Sequence, residues 1–296
     1  MEIKKYAAID IGSNAIRLLI ANVITSKSEN KPQFKKNALV RVPIRLGKDV
    51  FTKGEISKAN IERFIDAVNA FKLLMKVHQV TRYRACATSA MREATNGEKI
   101  VSLIQEKTGI AIQLIDGKTE AKIIAETDLS TLLENKKTYL YVDVGGGSTE
   151  FTLFNNGEVI NSKSFKIGTV RLLNDKVDKA IWKNIKSWIK ENTKTYKNIE
   201  LIGSGGNINK LFKMSGRAPG KPLSHIYLKS QYNFLKSMSY EERITELSLN
   251  PDRADVIIPA TKIYLKAMEW SGGKKIYVPK IGLADGIIKA LYYNKI

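Results

Sequence analysis

The sequence predicts an α/β protein of two duplicated lobes set around a central phosphate-binding cleft. Three observations carry this. At 296 residues, 43% hydrophobic and 26% charged, the chain has the length for two domains of roughly 130 to 160 residues, each with its own core. Tyr6–Arg17 aligns without a gap on Tyr139–Glu150, at an offset of 133 residues, an internal repeat on the scale of a domain. In both copies an apolar strand ends in Asp-[Ile/Val]-Gly and a small-residue turn, and such a turn exposes backbone N–H groups that form an anion-binding nest.

The elements follow from pattern. Tyr6 to Ile11 is a continuous apolar run, Gly12-Ser13-Asn14 breaks it and Ile16 to Val23 resumes, which predicts a hairpin. A lysine-rich polar loop, 25 to 36, leads to a further apolar run, Ala38 to Leu46. Ser57 is a natural N-cap for a helix reaching about His78, with Ile61, Phe64, Ile65, Val68 and Phe71 at helical spacing. Val80 to Ala87 reads as a buried strand, Gly97 to Thr108 as a helix, Ile110 to Ile115 as a strand and Thr119 to Leu133 as a helix. The repeat then restarts the pattern. The expected lobes are 1–125 and 126–281, with the closing helix from 282 to 296 returning to the first.

Composition narrows the function. The net charge of +20 favours polyanionic partners. No helix-turn-helix, zinc finger or RNA-binding strand pattern accompanies it, so nucleic acid is not the expected partner. One cysteine, Cys86, rules out an internal disulfide, and with only His78 and His225 beside it there is no Cys/His set for zinc. Any metal is therefore held by oxygens. No run approaches the ~20 apolar residues of a membrane span and no signal-peptide pattern opens the chain, so a cytoplasmic protein is expected. A homodimer is left open.

The sharpest local signal is Asp143-Val-Gly145-Gly146-Gly147-Ser148-Thr-Glu150. Three glycines leave the backbone bare to a phosphate, and Ser148 adds a hydroxyl donor. Strand periodicity sets Ser148 and Glu150 on one face, and Asp143 with Glu150 offers carboxylate oxygens to a hard cation such as Mg²⁺. The plainer alternative is a hairpin turn with a solvated Glu. In Asp116-Gly-Lys-Thr119-Glu120-Ala, Thr119 is the expected N-cap and the helix dipole keeps Glu120 ionised; on local pattern alone, a stabilising first-turn Glu is the commoner reading. Arg92, a few residues past a buried strand, has the guanidinium to clamp a phosphate, or is an ordinary surface arginine. Gly203-Ser-Gly205-Gly206 is a further strand, glycine turn and helix start. Lysines 176, 179, 183, 186, 190, 194 and 197 form one narrow stripe on a helix. The simplest account is a solvated face; the functional one is a positive wall for a polyanion.

With these residues in view, the chain resembles the exopolyphosphatase and guanosine pentaphosphate phosphohydrolase family. The resemblance runs through Asp10-Ile-Gly-Ser13-Asn14 and Arg17, Arg45-Leu-Gly47, Ala87-Thr-Ser-Ala-Met-Arg92-Glu-Ala, Thr119-Glu120-Ala, Asp143 to Glu150, Gly168-Thr-Val-Arg171, Gly203-Ser-Gly-Gly206 and Arg253-Ala-Asp255. It implies an actin-like ATPase (ribonuclease H-like) fold, with Glu120 in the place of the catalytic base. Asp143 and Glu150, with Asp10, fall on metal-binding carboxylates, and Ser13, Asn14, Arg17, Arg92, Gly145, Gly146, Gly147 and Ser148 on phosphate-binding positions. The chain resembles the short, two-domain form. Gly282-Leu-Ala-Asp285-Gly and Pro259 depart from the family pattern. The implied activity is Mg²⁺-dependent removal of terminal phosphates from inorganic polyphosphate or, as the alternative, from guanosine pentaphosphate. An actin-like-fold kinase and a polyphosphate-binding protein without turnover are the other classes.

Overall fold

The structure, a computed structural model, describes residues 1–26, 31–125, 127 and 137–295. The chain forms two units, Met1–Thr127 with Leu283–Ile296, and Asp128–Gly282.

The first unit opens with the antiparallel strands β1 (Glu2–Ile11), β2 (Ile16–Thr25) and β3 (Gln33–Val42), then α1 (Leu46–Lys53), α2 (Lys58–Val77), β4 (Arg82–Ala87), α3 (Ser89–Glu93), α4 (Gly97–Thr108), β5 (Ile112–Leu114) and α5 (Gly117–Ala125). Its sheet has the order β3-β2-β1-β4-β5, with β4 parallel to β1 and β5 parallel to β4. β1 is buried from Tyr6 to Ile11, and a strand covered on both faces needs an unbroken apolar run rather than an alternating one. The edge strand β3 keeps exposed and half-buried positions only. Pro43 separates it from α1, so the run expected from Ala38 to Leu46 is split between a strand and a helix start. At α2, the Ser57 hydroxyl accepts the Asn60 amide (3.4 Å), and Phe64, Ala67, Val68, Phe71 and Met75 face the core.

The second unit comprises β6 (Thr138–Val144), β7 (Thr149–Asn155), β8 (Glu158–Phe165), α6 (Thr169–Leu173), α7 (Lys179–Thr193), β9 (Glu200–Ser204), α8 (Gly206–Met214), β10 (Leu223–Ser224), α9 (His225–Ser237), α10 (Tyr240–Thr245), α11 (Pro251–Ala254), α12 (Ile257–Ser271) and β11 (Lys275–Tyr277). The sheet reads β8-β7-β6-β9-β11-β10; its first five strands repeat the order of the first unit. Helix α13 (Leu283–Tyr292) belongs to the first unit, where it packs on α5 and β1. Gly286 permits this approach, since a Cβ there would lie 2.2 Å from the Ile123 carbonyl oxygen of α5.

The repeat holds at the level of single residues. Asp10 pairs with Arg17 across β1–β2 and Asp143 with Glu150 across β6–β7, the same positions shifted by 133. The ladder of β2 slips between Ile20 and Ala21 and that of β7 between Leu153 and Phe154, again 133 apart. Each turn closes alike: Gly12 N–H donates to Ala15 O (3.1 Å), and Gly145 N–H to Ser148 O (3.0 Å).

Two helix starts differ from expectation. α5 begins at Gly117 because the Asp116 carboxylate, not Thr119, is the cap: Asp116 Oδ1 accepts the Thr119 amide at 2.7 Å. The helix expected to reach Leu133 runs to Ala125, and residues 126 and 128–136 lie outside the described set. The lysine-striped helix begins at Lys179 rather than 176, since Asp178 caps it through the Ala180 amide (2.8 Å).

Candidate active site

In both units the parallel strands end at the same edge of the sheet, and the turns that follow carry the polar residues, as open α/β sheets dispose their ligand sites. In the first unit these are Gly12–Ala15 after β1, Thr88 and Ser89 after β4, and Asp116–Glu120 after β5. Ser13 is buried, its hydroxyl 3.0 Å from that of Ser89, which ties the first turn to α3. Arg92 of α3 donates Nη1 to the Ile115 carbonyl, fastening α3 to the start of the Glu120 loop.

Carbonyl groups decide what the turns can bind. Gly47 N–H donates to Ser13 O (2.7 Å) and Arg45 N–H to Asn14 O (3.0 Å), with Arg45 in the left-handed region at φ 63°. In the second unit, Thr169 N–H donates to Gly145 O (3.0 Å), Val170 N–H to Gly146 O (2.9 Å) and the Arg171 side chain, through Nε, to Gly147 O (2.6 Å). Gly168 lies so close that a Cβ would sit 2.3 Å from Gly146 O. In each turn the carbonyls are thus held from behind by a later loop. The peptide planes are fixed, and the amides of Gly146, Gly147 and Ser148 donate to no protein acceptor among the described residues. Such an array of successive N–H groups binds anions. The Arg45–Gly47 and Gly168–Arg171 segments therefore have one task in the two units, which requires the fold and is invisible in either segment alone.

The duplicated positions differ in charge. In the first unit, Arg17 Nη1 lies 3.2 Å from Asp10 Oδ2. Burial raises the Asp10 carboxyl above its ordinary range, and the Arg17 charge and hydrogen bond partly offset this. In the second unit Arg17 is replaced by Glu150, opposite Asp143. Glu150 is 2% exposed, and its Oε1 accepts the hydroxyls of Ser148 (2.7 Å) and Ser164 (2.8 Å). Two carboxylates facing each other on adjacent strands repel, and with a neighbouring hydroxyl they form an oxygen-only donor set suited to Mg²⁺. Among the described residues no group of three or more His, Cys, Asp or Glu gathers in one place. A cation here would thus take its remaining ligands from water and phosphate, the usual condition of Mg²⁺ at phosphoryl-transfer sites.

Glu120 stands in the first turn of α5, 9% exposed. Together with Asp10 it adds to the burial that pushes the Cys86 thiol up to about 11, against the opposing charge of Arg84. Asp10 and Cys86 are in register on neighbouring parallel strands. Glu120 is thereby brought to the edge of the sheet that carries Asp10. The third glycine loop is also built for close approach: Gly205 has φ 113°, and a Cβ there would face Val144 O at 3.0 Å and Asp143 Oδ1 at 3.6 Å. Arg253 Nη1 donates to Gly206 O (2.8 Å), and the buried Tyr264 hydroxyl donates to Ser204 O. Burial above all, then the Asp143 charge, raises the Tyr264 hydroxyl well above its usual value. Tyr264 has no motif around it; only the packing of α12 reveals it.

Comparison with known proteins agrees with this architecture. The chain is 30% identical to a bifunctional 3-dehydroquinate synthase/phosphatase of Fusobacterium nucleatum, over 98% of this chain and 47% of that one. It is 33% identical to exopolyphosphatase 2 of Mycobacterium tuberculosis, over 58% of this chain and 54% of that one. The chain spans about half the length of these curated relatives. Among solved structures, an Aquifex aeolicus Ppx/GppA family member superposes with a TM-score of 0.77 at 25% identity, covering 99% of both chains. An exopolyphosphatase of Cytophaga hutchinsonii gives 0.85 at 22% identity over 98% of each, a likeness of fold. A model of the Ppx/GppA phosphatase family matches residues 23–294, nearly the whole of both units: the chain belongs to the Ppx/GppA phosphatase family.

Proposed function

We propose that this protein is an exopolyphosphatase that hydrolyses the terminal phosphates of inorganic polyphosphate, with Mg²⁺ and with Glu120 as general base. The observation that carries this reading is the pair of back-bonded turns, whose outward amides in the second unit are arranged for phosphate oxygens. In the proposed roles, Ser13, Asn14, Arg17 and Arg92 of the first unit and the amides of Gly146, Gly147 and Ser148 of the second hold phosphate oxygens, while Gly145, whose own N–H closes the turn onto Ser148 O, and the Ser148 hydroxyl, which donates to Glu150, shape the turn. Asp143 and Glu150 hold the cation, which when bound neutralises charge on the phosphate oxygens. Asp10, paired with Arg17, is the lesser candidate for a metal ligand.

Glu120 orients a water and accepts its proton as the water oxygen bonds to the terminal phosphorus. The bridging P–O bond breaks, orthophosphate forms and the shortened chain leaves with the bridging oxygen. The loose transition state of phosphoryl transfer asks little early proton removal, so an ordinary carboxylate suffices. The relative named exopolyphosphatase is 33% identical and one named guanosine-5'-triphosphate,3'-diphosphate pyrophosphatase, from Aeromonas hydrophila, is 28% identical; the +20 charge further favours the longer polyanion. The guanosine pentaphosphate reaction uses the same chemistry and is the second reading. The test is phosphate release from polyphosphate, guanosine pentaphosphate and ATP, with Mg²⁺ and with chelator. Release from polyphosphate that chelation abolishes is expected; no release from any of them refutes the reading.

A further inference from the structure

The positive face of α7 is left unused by the site described above. Its lysines at 179, 183, 186 and 190, with Lys176, Lys194 and Lys197 beyond the helix, are all exposed. At 100° per residue the four helical lysines fall within an arc of about 60°, on the side away from the buried Ile185, Trp188 and Ile189. None of the seven is paired with a carboxylate among the described residues. The segment has two acids: Asp178, engaged as the helix cap, and Glu191, on the flank of the helix away from the stripe. Like charges three and four residues apart along the helix repel one another.

The stripe is tied to the segment that holds the glycine turn and runs past that end of the sheet. Arg171, whose Nε holds Gly147 O at 2.6 Å, accepts the Lys176 amide on its own carbonyl at 3.0 Å. Further along, Trp188 packs on Phe151 and Phe165, close to the turn end of the β7–β8 ladder, where Thr149 pairs with Phe165. One helical turn later, Asn192 accepts the Asn161 side-chain amide (2.7 Å), and Asn161 pairs with Leu153, further down that ladder. α7, about 22 Å long for its fifteen residues, thus passes the turn end of this ladder at Trp188 and lies further down it at Asn192. Lys163 of β8, whose ammonium sits over the Phe165 ring at 5.2 Å, adds a cation alongside.

We infer that this lysine face is a track for the distal part of a linear polyphosphate whose end is processed at the glycine turn, so that it sets affinity for long chains and not the chemistry. The inference rests on the proposed function and has its own readout. Lys179, Lys183, Lys186 and Lys190 are changed together to Gln, and binding and phosphate release are measured for tripolyphosphate and for chains of several hundred phosphates at 50 and 200 mM salt. A control variant with Lys58, Lys76, Lys99 and Lys107 changed to Gln lowers the net charge equally on other exposed helix faces.

Each lost contact lowers the salt slope by about 0.7 on a single-stranded polyanion, so four lower it by up to about 3, or up to about 50-fold in affinity across this fourfold salt range. The expected result is weaker binding and higher KM for long chains only, with kcat and tripolyphosphate KM unchanged, and little effect in the control. Equal effects on both lengths, no effect, or the same loss in the control overturns the track while leaving hydrolysis standing. A larger loss for single-stranded DNA than for polyphosphate overturns it in favour of a nucleic-acid surface. Absence of phosphate release from the wild type refutes the hydrolase reading instead, and direct binding still decides the track.

Discussion

Replacing Gly168 by Ala tests whether the back-bonded carbonyls make the phosphate site. A Cβ at this position would lie 2.3 Å from Gly146 O, 2.4 Å from its carbonyl carbon and 2.5 Å from Gly147 N, where 3.4 Å is an ordinary contact, so the two backbones must part by about 1.1 Å. The hydrogen bond from Val170 N–H to Gly146 O is 2.9 Å and that from Thr169 N–H to Gly145 O is 3.0 Å; a shift of that size takes both beyond bonding range. At about 1 kcal/mol for each bond and ~1–3 kcal/mol for overpacking, the variant should lose about 3–5 kcal/mol. For a unit of this size the melting temperature then falls by roughly 6–20 °C. The turn amides move with the peptides, and a displacement near 1 Å should cost about 100-fold in kcat/KM. Phosphate release from polyphosphate and a thermal melt are the assays. Gly157→Ala, in the same unit, is the control: φ is 85°, nothing lies within 4 Å of its Cβ, and it should cost about 1 kcal/mol with activity retained. A Gly168→Ala protein with wild-type kcat/KM and melting temperature would show that the turn does not depend on this contact.

Three other outcomes follow from the site. Glu120→Gln should lower turnover by at least ~100-fold while polyphosphate binding stays within about twofold, as loss of a general base does; a parallel loss of binding contradicts the assignment. Asp143→Asn or Glu150→Gln should raise the Mg²⁺ concentration for half-maximal activity, and Ser164→Ala, which removes the 2.8 Å bond to Glu150, should raise it by about tenfold; an unchanged Mg²⁺ titration in all three places the cation elsewhere. Asp49 accepts the Ser57 amide (3.0 Å) and hydroxyl (2.5 Å) and the Asn60 side chain (2.8 Å). Burial opposes ionisation, but these bonds outweigh it and hold the carboxyl below 3.8. Its stabilising effect is therefore full above pH 3.8 and lost as pH falls through the folded value. Denaturant titrations should show wild type exceeding Asp49→Asn at pH 6 and the two converging in acid.

How much of this was legible in the sequence depended on distance along the chain. The turns, the hairpins and the helix from Ser57 are local, and their apolar runs and caps state them directly. The duplication was visible because glycine and aspartate recur at one offset. Asp116 was missed as the cap of α5 because Thr119 is an equally good capping residue in composition; only the backbone path shows which oxygen meets the amide at 2.7 Å. The task of Arg45, Gly47 and Gly168–Arg171 was not legible, because their hydrogen bonds reach carbonyls 24 to 34 residues earlier, and a pattern reading sees no such pair.

The duplication also sharpens the charge argument. Two hairpins share their register, their turn-closing hydrogen bond and the position of a ladder slip, so their backbones do the same thing. What differs is one residue opposite the aspartate: Arg17 in the first, Glu150 in the second. With Arg17, the aspartate has its cation within the fold, and the turn beside it bears little net charge. With Glu150, two acids share a largely buried site and two serine hydroxyls converge on one carboxylate oxygen, so a divalent cation and the phosphates it carries are the natural complement. Exchange of charge at one duplicated position is enough to give two copies of one glycine turn opposite characters, a pair of acids beside one and an arginine-paired aspartate beside the other.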